Sequence, residues 1–492
     1  MNTSAADALT EALVRHSPRH QPGERPWRAW LIHGLTLLVW GVLLVDAFTR
    51  HGSVLAWSVG IAYICYDTLL LLMVTSQTWR LLRSNKSKPS PLGHTVTVGA
   101  IVAAHNEARV LPLTLSALLT QEPALDQIVI ADDGSSDDTA ALLTTRYGLT
   151  PPAIGELSEA SHIHPQLHWL RLPHGGKARA LNRALQAMWT ETVVTVDGDT
   201  LLEPGAIRTV QEAFSRRPKL VAATGVITPV CSQDVQGRVM QAFQTYEYIR
   251  NFLSRFAWSR FNALLLVSGA FASFRRQAVL DVGGFDPDCM VEDYELIHRL
   301  HRHAAQHGLG WQVAVLGGAQ ARTDAPSNIG GFLRQRRRWF GGFLQTQYWY
   351  RDMVGNGRYG ALGRLMLPVK AGDTFQPLYG FSAFVLLLVF AFTGQLMVVG
   401  PVLAVMAAKV AIDLSYLLWS MRLYRRWVQD PGRGHLGLAV LAAIAEPFTF
   451  QLLRHTGALL GWWSVLTGRA SWGRQSRQGL AALPASRKLE QG

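Results

Sequence analysis

The sequence is poor in cysteine and in charge, and each shortage excludes a class of protein. Its three cysteines, Cys65, Cys231 and Cys289, lie far apart, and Cys65 falls in an apolar stretch. This pattern excludes a disulfide framework and a zinc site built from closely spaced cysteines. Charged residues make up only 16% of the 492 residues and apolar residues 49%. Soluble proteins carry roughly 25% charged residues, so the composition indicates a membrane component.

Acidic residues are also scarce relative to basic ones. The chain has 34 Asp and Glu against 47 Lys and Arg, which gives a net charge of +13. Such an excess suits nucleic acid, an anionic membrane surface or an anionic substrate. The basic residues are spread over the flanks of apolar runs and one acidic-rich region, so we expect no nucleic-acid partner. We interpret the excess as that of the cytoplasmic faces of membrane proteins.

Long apolar runs divide the chain. Residues 30–48 and 54–75 are each long enough to cross a bilayer, and the first lacks the cleavage site of a signal peptide. Basic residues precede and follow this pair, whereas only Arg50 lies clearly between them, which predicts that both ends face the cytoplasm. Further apolar runs occupy residues 377–399 and 401–421.

The last apolar region, residues 436–468, is interrupted by Glu446, Pro447, Arg454 and His455. A single span would place the basic tail outside the cell. Two shorter segments or a re-entrant hairpin would keep that tail in the cytoplasm, and we favour this second interpretation. The predicted organisation is a polar, irregular cytoplasmic segment (1–28), two transmembrane helices (29–76), a globular domain (90–345), an interfacial segment (346–374), three to four transmembrane or re-entrant helices (375–468) and a basic tail (469–492).

Within the globular region, short apolar strands alternate with stretches of helical spacing. The predicted strands are 96–104, 127–131, 167–172 and 192–196, and the predicted helices are 108–120, 137–146 and 177–189. This alternation predicts an α/β domain with a mostly parallel sheet covered by helices. Ligands collect at the carboxyl ends of such strands. The acidic pairs Asp132–Asp133 and Asp197–Asp199 lie at two of these ends.

The two acidic pairs allow different chemistry. Asp132 and Asp133 could accept hydrogen bonds from a base or a ribose, or could belong to a capped strand-to-helix turn. Asp197 and Asp199 form a DxD motif whose hard oxygen ligands suit Mg²⁺ or Mn²⁺ with phosphate, although a solvated turn has the same sequence.

Two later segments contain a candidate general base and a run of basic residues. Glu292 and Asp293 could accept a proton from an attacking hydroxyl, and they could equally form the acidic first turn of a helix. The run from Gln335 to Trp339 contains three arginines, which suit phosphate, and a Trp face, which suits a sugar ring. A basic helix at a membrane surface is the plainer interpretation of this run.

Taken in order, these segments resemble the membrane-bound family 2 glycosyltransferases, which include the synthases of cellulose, chitin, hyaluronan and poly-N-acetylglucosamine. The resemblance covers residues 95–342. The motifs that carry it are AHNE at 104–107, DDGS at 132–135, GGKARALN at 175–182, DGD at 197–199, SGA at 268–270, ED at 292–293 and QxxRW at 335–339. Val291 and Ala103 depart from the family's usual Thr and Pro and leave the subfamily open.

The resemblance implies a GT-A (Rossmann-like) fold, inserted between the N-terminal and C-terminal transmembrane helices, and an inverting single displacement. It implies Asp293 as the base with Glu292 beside it, and Mg²⁺ or Mn²⁺ on Asp199. The residues it implies for the nucleotide sugar are Asp132, Asp133, Lys177, Asp197 and Arg338. The residues it implies for the acceptor are Ser268, Gly269, Gln335 and Trp339.

The implied function is extension of a β-linked polysaccharide from a UDP-sugar onto a glycan acceptor, with secretion through the protein's own membrane part. The expected location is a bacterial-type inner membrane with the catalytic domain in the cytoplasm, and an accessory secretion subunit is allowed. Non-processive transfer to a lipid acceptor is the alternative. From another class, a transporter or a carbohydrate-binding membrane protein with an inactive transferase domain stays open. Lys409, Asp413 and Glu446 are candidates for a polymer path or for helix pairing.

Overall fold

An eight-stranded mixed sheet organises the region between the second and third long apolar helices. The computed structural model describes residues 3–23, 26–50, 53–82, 94–428, 436–468 and 479–480. The strands are β1 (Val98–Ala104), β2 (Gln127–Asp133), β3 (Leu167–Leu172), β4 (Thr192–Asp197), β5 (Thr200–Leu202), β6 (Leu220–Val230), β7 (Phe271–Arg275) and β8 (Gln312–Asp324). The order across the sheet is β3-β2-β1-β4-β7-β6-β8-β5.

The first four strands form a parallel block. β1 pairs in parallel with β2 and β4, and β2 pairs in parallel with β3. Ala104 lies opposite Asp132, and Ala103 lies opposite Asp197, so both acidic pairs reach the same edge of the sheet. Because β1, β2 and β4 are buried along nearly their whole length, they appear in the sequence as continuous apolar runs.

The second half of the sheet departs from the predicted parallel arrangement. β7 pairs antiparallel with both β4 and β6, β5 pairs antiparallel with β8, and β6 pairs in parallel with β8. After β6, a long helix and a loop of residues 260–270 return the chain to the carboxyl end of β4, where Phe271 lies opposite Val196, so β7 runs in the opposite direction. The predicted parallel arrangement therefore holds throughout β1 to β4, whereas beyond them only β6 and β8 pair in parallel and the sheet is mixed.

Helices cover both faces of the sheet. One face packs against α4 (Leu111–Leu119), α5 (Thr139–Tyr147) and α7 (Ala206–Arg216), and the other against α6 (Lys177–Ala187), α8 (Val235–Ser259), α9 (Arg276–Asp281) and α10 (Glu292–His307). α11 (Ile329–Trp349) follows β8 and carries the run from Gln335 to Trp339. The predicted α/β layering is thus observed.

The N-terminal segment contains a helix where an irregular chain was expected. α1 (Thr3–His16) buries Leu9 and Leu13, which face the loop at Gly283 and Gly284. These leucines are four residues apart and therefore share one face of the helix. Burial of each contributes roughly 1.5–3 kcal/mol, which favours ordering of this short helix against the domain.

Four helices are long and apolar enough to cross a membrane in the part of the chain that the structure describes. They are α2 (Trp27–Thr49), the segment Val54–Thr78 that contains α3 (Ser58–Thr78), the segment Leu362–Phe392 that contains α12 (Leu367–Phe392), and the segment Leu396–Tyr424 of α13 (Leu396–Val428). Membrane association follows from these four helices.

The boundaries of the later helices differ from those predicted. α12 begins at Leu367 and so includes the end of the predicted interfacial segment, whereas residues 351–366 form short 3-10 and π-helical turns. The break before α13 falls at Gly394 and not before Pro401, and Pro377 and Pro401 both lie inside helices. Proline is tolerated there because surrounding helices and local adjustments satisfy the freed backbone groups.

The last apolar region is divided, as the interpretation with two shorter segments expects. α14 (Leu436–Ala445) is followed by a 3-10 turn at Glu446–Phe448 and by α15 (Phe450–Leu466). The predicted domain start near residue 90 and most of the basic tail lie outside the described residues. How α14 and α15 lie relative to a bilayer stays a prediction.

α15 packs closely along α11. A Cβ atom added at Gly461 would lie 2.7 Å from the carbonyl oxygen of Arg337 and from the amide nitrogen of Gly341. A Cβ added at Gly457 would lie 2.5 Å from the Cβ of Arg336. Small residues at four-residue spacing let two helix backbones approach each other, as they do in membrane helix pairs.

Candidate active site

A cavity of about 1390 Å³ lies at the carboxyl ends of β1, β2 and β4 and extends toward the apolar helices. With the exception of Asp132, every site residue predicted from the sequence lines it. These residues are Asp133, Lys177, Asp197, Asp199, Ser268, Gly269, Glu292, Asp293, Gln335, Arg338 and Trp339. The structure therefore brings together segments that are distant in sequence, while the roles assigned to them stay predictions.

Asp132 and Asp133 face opposite sides of β2, because successive side chains of a strand alternate. Asp132 is buried, and its carboxylate accepts hydrogen bonds from Ser135 N at 2.9 Å and from Trp169 Nε1 at 3.2 Å. Asp133 lines the cavity and accepts hydrogen bonds from Gly175 N at 2.7 Å and Gly176 N at 3.0 Å. The geometry supports only Asp133 as a direct ligand of a nucleoside.

Two histidines absent from the predicted site flank Asp133. The rings of His105 and His174 stack with centroids 4.4 Å apart, and His174 Nδ1 lies 3.0 Å from Asp133 Oδ2. Potential ligand atoms of His105, Asp133 and His174 lie within 4.8 Å of one another. This group could hold a metal ion, but its two histidines are exposed and its carboxylate is already bound by backbone amides.

The carboxylates of Asp197 and Asp199, which form the DxD motif, lie close to that of Asp324. Asp199 is 8% exposed, and its carbonyl oxygen accepts a hydrogen bond from Asp324 N at 3.2 Å. Burial, together with the charges of Asp197 and Asp324, raises the pKa of Asp199 well above its usual range. A divalent cation would relieve this repulsion, so the residues present fit Mg²⁺ or Mn²⁺.

Asp324 is the residue of this group that the sequence-based prediction omits. Asp324 is the last residue of β8 and lies two residues before Pro326. An acidic residue at the end of an apolar strand is the sequence feature that could have identified it as a site residue. Asp324 Oδ2 also accepts hydrogen bonds from Gly479 N at 3.0 Å and Leu480 N at 3.2 Å. The carboxylate of Glu107 lies against the glycine between Asp197 and Asp199, so a Cβ at that position would displace the Glu107 side chain.

Lys177 lies between two acidic groups at the start of α6. Its ammonium pairs with Asp197 and lies 3.8 Å from Glu292 Oε1. Although burial disfavours its charge, the carboxylates of Asp197 and Glu292 raise the pKa of Lys177 above its usual value. Lys177 is therefore held protonated at the centre of the cavity, where an anionic diphosphate could replace one of its carboxylate partners.

Asp293 is oriented by backbone amides at the start of α10. Its Oδ2 accepts a hydrogen bond from Gly269 N at 2.6 Å, and its Oδ1 accepts one from Tyr294 N at 2.8 Å. A Cβ at position 269 would lie 2.9 Å from Asp293 Oδ2, so glycine allows this approach of the loop. Asp293 thus belongs to the acidic first turn of a helix and also lines the cavity. The interpretation as a helix turn is confirmed, and the role of Asp293 as a base stays a prediction.

The neighbouring Glu292 is only 3% exposed. Burial raises the pKa of Glu292, and the charge of Lys177 opposes this effect. Glu292 Oε1 lies 3.8 Å from the ammonium of Lys177, which makes Glu292 the second acidic partner of that lysine.

The residues from Gln335 to Trp339 lie in the middle of α11 and do not form a solvated basic surface. Gln335 is 6% exposed, and its Oε1 has no hydrogen-bond partner among the described residues, which leaves it able to bind a ligand in the cavity. Arg338 and Trp339 line the same wall. Arg336 is buried and pairs with Glu247, at N–O distances of 2.8 and 2.7 Å.

Residues 94–342 match the protein family described as glycosyltransferase like family 2. The chain belongs to this family. It is 29% identical over 241 residues to poly-beta-1,6-N-acetyl-D-glucosamine synthase of Staphylococcus aureus (strain COL), a match that covers 49% of this chain and 52% of that protein. It is 29% identical over 257 residues to the synthase of the same name from Staphylococcus epidermidis, covering 51% of this chain and 56% of that protein. The chain thus matches about half the length of these curated relatives.

A solved structure extends the likeness beyond the family 2 domain. The mannosyltransferase PcManGT from Pyrobaculum calidifontis, in complex with GDP-Man and Mn²⁺, superposes with a TM-score of 0.53 at 21% identity, over 80% of this chain and 99% of that one. This likeness concerns the fold, and it confirms the GT-A-like domain predicted from the sequence. In this family 2 glycosyltransferase, residues of the motifs at 104–107, 175–182, 197–199, 268–270, 292–293 and 335–339 line one cavity.

Proposed function

We propose that this protein is an inverting, metal-dependent glycosyltransferase that extends a β-linked polysaccharide from a UDP-sugar. The observation that carries the proposal is one cavity that holds the DxD carboxylates, Lys177, Asp293 and the QxxRW residues together. The curated relatives are poly-beta-1,6-N-acetyl-D-glucosamine synthases, which makes UDP-N-acetylglucosamine the first donor to test. The presence of all these carboxylates disfavours a dead transferase domain in a transporter or binding protein.

The reaction requires one base and a stabilised leaving group. In the proposed step, Asp293 accepts the proton of the acceptor hydroxyl as its oxygen attacks the anomeric carbon. The bond from that carbon to the diphosphate breaks on the opposite face, so the configuration inverts. Lys177 and Arg338, which line the same cavity, bind the departing UDP. Gly269 fixes one oxygen of Asp293 and so orients the carboxylate.

Asp199, with Asp197 and Asp324 beside it, would hold the divalent cation. When bound, Mg²⁺ or Mn²⁺ supplies neutralisation of the diphosphate charge. The buried, mutually repelling carboxylates support this assignment, as does the Mn²⁺ in the structure of PcManGT.

The metal requirement is expected to depend on pH. Because the pKa of Asp199 is raised without metal, protons compete with the cation as the pH falls through that raised value. The concentration of Mn²⁺ that gives half-maximal transfer should therefore rise as the pH is lowered. Titrations of Mn²⁺ at fixed, saturating donor over a series of pH values measure this; a fall of that concentration on acidification would contradict cation binding at Asp199.

The cavity also reaches residues of the apolar helices, which supports secretion of the polymer through the membrane part. Its lining includes Asp67 of α3, Asp373 and Pro377 of α12, and Trp462 of α15. The predicted path residues Lys409, Asp413 and Glu446 are not on this lining and instead form ion pairs. Their pairing favours the helix-pairing interpretation of these three residues.

The proposal includes a membrane setting with the catalytic domain in the cytoplasm of a bacterial-type cell. The basic residues at both ends of the first helix pair support this orientation. The partners are then a nucleotide-sugar donor, a glycan acceptor and the lipid bilayer, with room for an accessory secretion subunit.

The test is transfer by membranes that contain the full chain. They are incubated with a panel of labelled UDP-sugars, and with GDP-mannose, in the presence of Mg²⁺ or Mn²⁺. The expected result is a ladder of products from UDP-N-acetylglucosamine that a β-linkage-specific hydrolase digests. Single additions to lipid would establish the non-processive alternative, and no transfer from any donor would overturn the proposed function. Membranes that carry Asp293→Asn are the background control.

A further inference from the structure

Arg336 differs from the other residues of the QxxRW segment because its charge is buried against a second helix. Its guanidinium donates to both carboxylate oxygens of Glu247, on α8, at 2.8 and 2.7 Å. Both side chains are almost fully buried, at 3% and 4% exposure. Such a two-point pair fixes the orientation of the guanidinium plane as well as its position.

The same guanidinium contacts two aromatic rings of α11. Its central carbon lies 4.4 Å from the ring centroid of Trp339 and 4.5 Å from that of Phe332. Trp339 is three residues after Arg336 and Phe332 four residues before it, so all three lie on one face of the helix. A cation over an aromatic face attracts the ring when the site is shielded from water. Arg336 is therefore one of the groups against which the Trp339 ring is held, together with the hydrophobic core on which this ring packs.

Surrounding groups restrict alternative positions of Arg336. α15 closes one side, since Gly457 lies against the side chain of Arg336. Arg454 of α15 approaches Glu247 as well, with its Nε 3.4 Å from Oε1. Glu247, which is on α8, thus links that helix to α11 and α15. It also lines the cavity, although it is far from the DxD carboxylates in sequence.

We propose that Glu247 is a positioning residue for the acceptor sugar, which acts through Arg336 on the ring of Trp339. The inference rests on the proposed function, because it takes Trp339 as the surface on which the acceptor lies. A purely structural ion pair is the alternative, since loss of one partner of a buried pair destabilises a protein whatever its function.

The distinguishing measurement is the partition of the donor between transfer and hydrolysis. If the acceptor hydroxyl is misplaced, water competes for the bound UDP-sugar, so Glu247→Gln is expected to lower the ratio of transfer to hydrolysis at least about tenfold. Affinity for UDP should stay within about twofold of wild type, because donor contacts are unchanged. Both are measured per folded molecule, with labelled UDP-N-acetylglucosamine and with UDP binding.

A second variant allows the same test if Glu247→Gln does not fold. Glu247→Leu with Arg336→Met removes both charges and leaves no unpaired buried ion between them, a change that is often neutral for stability. Because Met supplies no cation for Trp339, this double variant is expected to show the same fall, at least about tenfold, in the ratio of transfer to hydrolysis. A wild-type partition ratio in the folded double variant would overturn the positioning role.

Glu295→Gln is the matched control. Glu295 forms another fully buried pair, with Arg299 at 2.6 Å, and accepts a hydrogen bond from Tyr350, so its partners are neither Arg336 nor Trp339. This variant should lower the unfolding temperature without changing the partition ratio. An equal change of the ratio in Glu295→Gln and Glu247→Gln, or a parallel loss of UDP affinity, would overturn the inference. Absence of transfer in the wild type would instead defeat the proposed function.

Discussion

Replacement of Asp293 by Asn is expected to lower the rate of transfer by about 10²–10⁴-fold, the range that a positioned general base contributes. The amide oxygen of Asn can still accept the hydrogen bond that Gly269 N donates to Asp293 Oδ2, so the loop and the start of α10 should keep their geometry. Asn cannot accept the proton of an acceptor hydroxyl. Initial rates with UDP-N-acetylglucosamine, together with UDP affinity, separate the loss of the base from a loss of donor binding.

Asp288→Asn provides the matched control for this variant. Asp288 lies five residues earlier, its side chain is 62% exposed, and its charge pairs with Arg19 at the surface. The same chemical change there should leave the transfer rate within about twofold of wild type, because exposed ion pairs contribute little. Turnover near the wild-type level in Asp293→Asn would eliminate Asp293 as the base.

Replacement of Asp199 by Asn should have the next largest effect. We expect it to lower the rate of transfer without lowering the stability of the protein. Loss of several kcal/mol of charge stabilisation at the leaving group corresponds to a fall of about 10²–10³-fold in transfer. In metal-free protein, however, the same change removes a buried charge repelled by Asp197 and Asp324, so the unfolding temperature should be unchanged or higher. A purely structural role would lower it.

The response to Mn²⁺ provides the control for the Asp199 variant. Wild-type protein should gain thermal stability on addition of Mn²⁺, since a cation that binds only the folded state stabilises it. Asp199→Asn should lose that gain. Retention of the full Mn²⁺-induced shift, or of Mn²⁺-dependent transfer, would assign the cation to other residues; the group of His105, Asp133 and His174 is then the next candidate.

The strands that could be predicted are those with a simple physical signature. β1 to β4 are buried and parallel, so their apolar runs mark them, and the acidic pairs at the ends of β2 and β4 mark the edge of the sheet that binds ligands. The direction of β7 could not be predicted in this way, because it depends on how the loop of residues 260–270 returns to the sheet.

Parts of the candidate site depend on long-range contacts that a motif does not contain. Asp324 reaches Asp199 only because β8 pairs with β5, and Glu247 reaches Arg336 only because α8 lies beside α11. The position of Asp132 differs, because alternation along a strand already implies that only one of two adjacent carboxylates can face the cavity. That rule was sufficient to predict that only one of Asp132 and Asp133 faces the cavity, but not to decide which one.

The close packing of α15 on α11 has a mechanical consequence. Gly457 and Gly461 bring the two helices together with almost no side chain between them, so one helix cannot slide or rotate without moving the other. Gln335, Arg338 and Trp339 are on α11, whereas Trp462 on α15 lines the same cavity. Under the proposed function, a displacement of the glycan against Trp462 would be transmitted as strain to the wall where the next sugar is added. Bond formation and forward movement of the product would then share one rigid pair of helices.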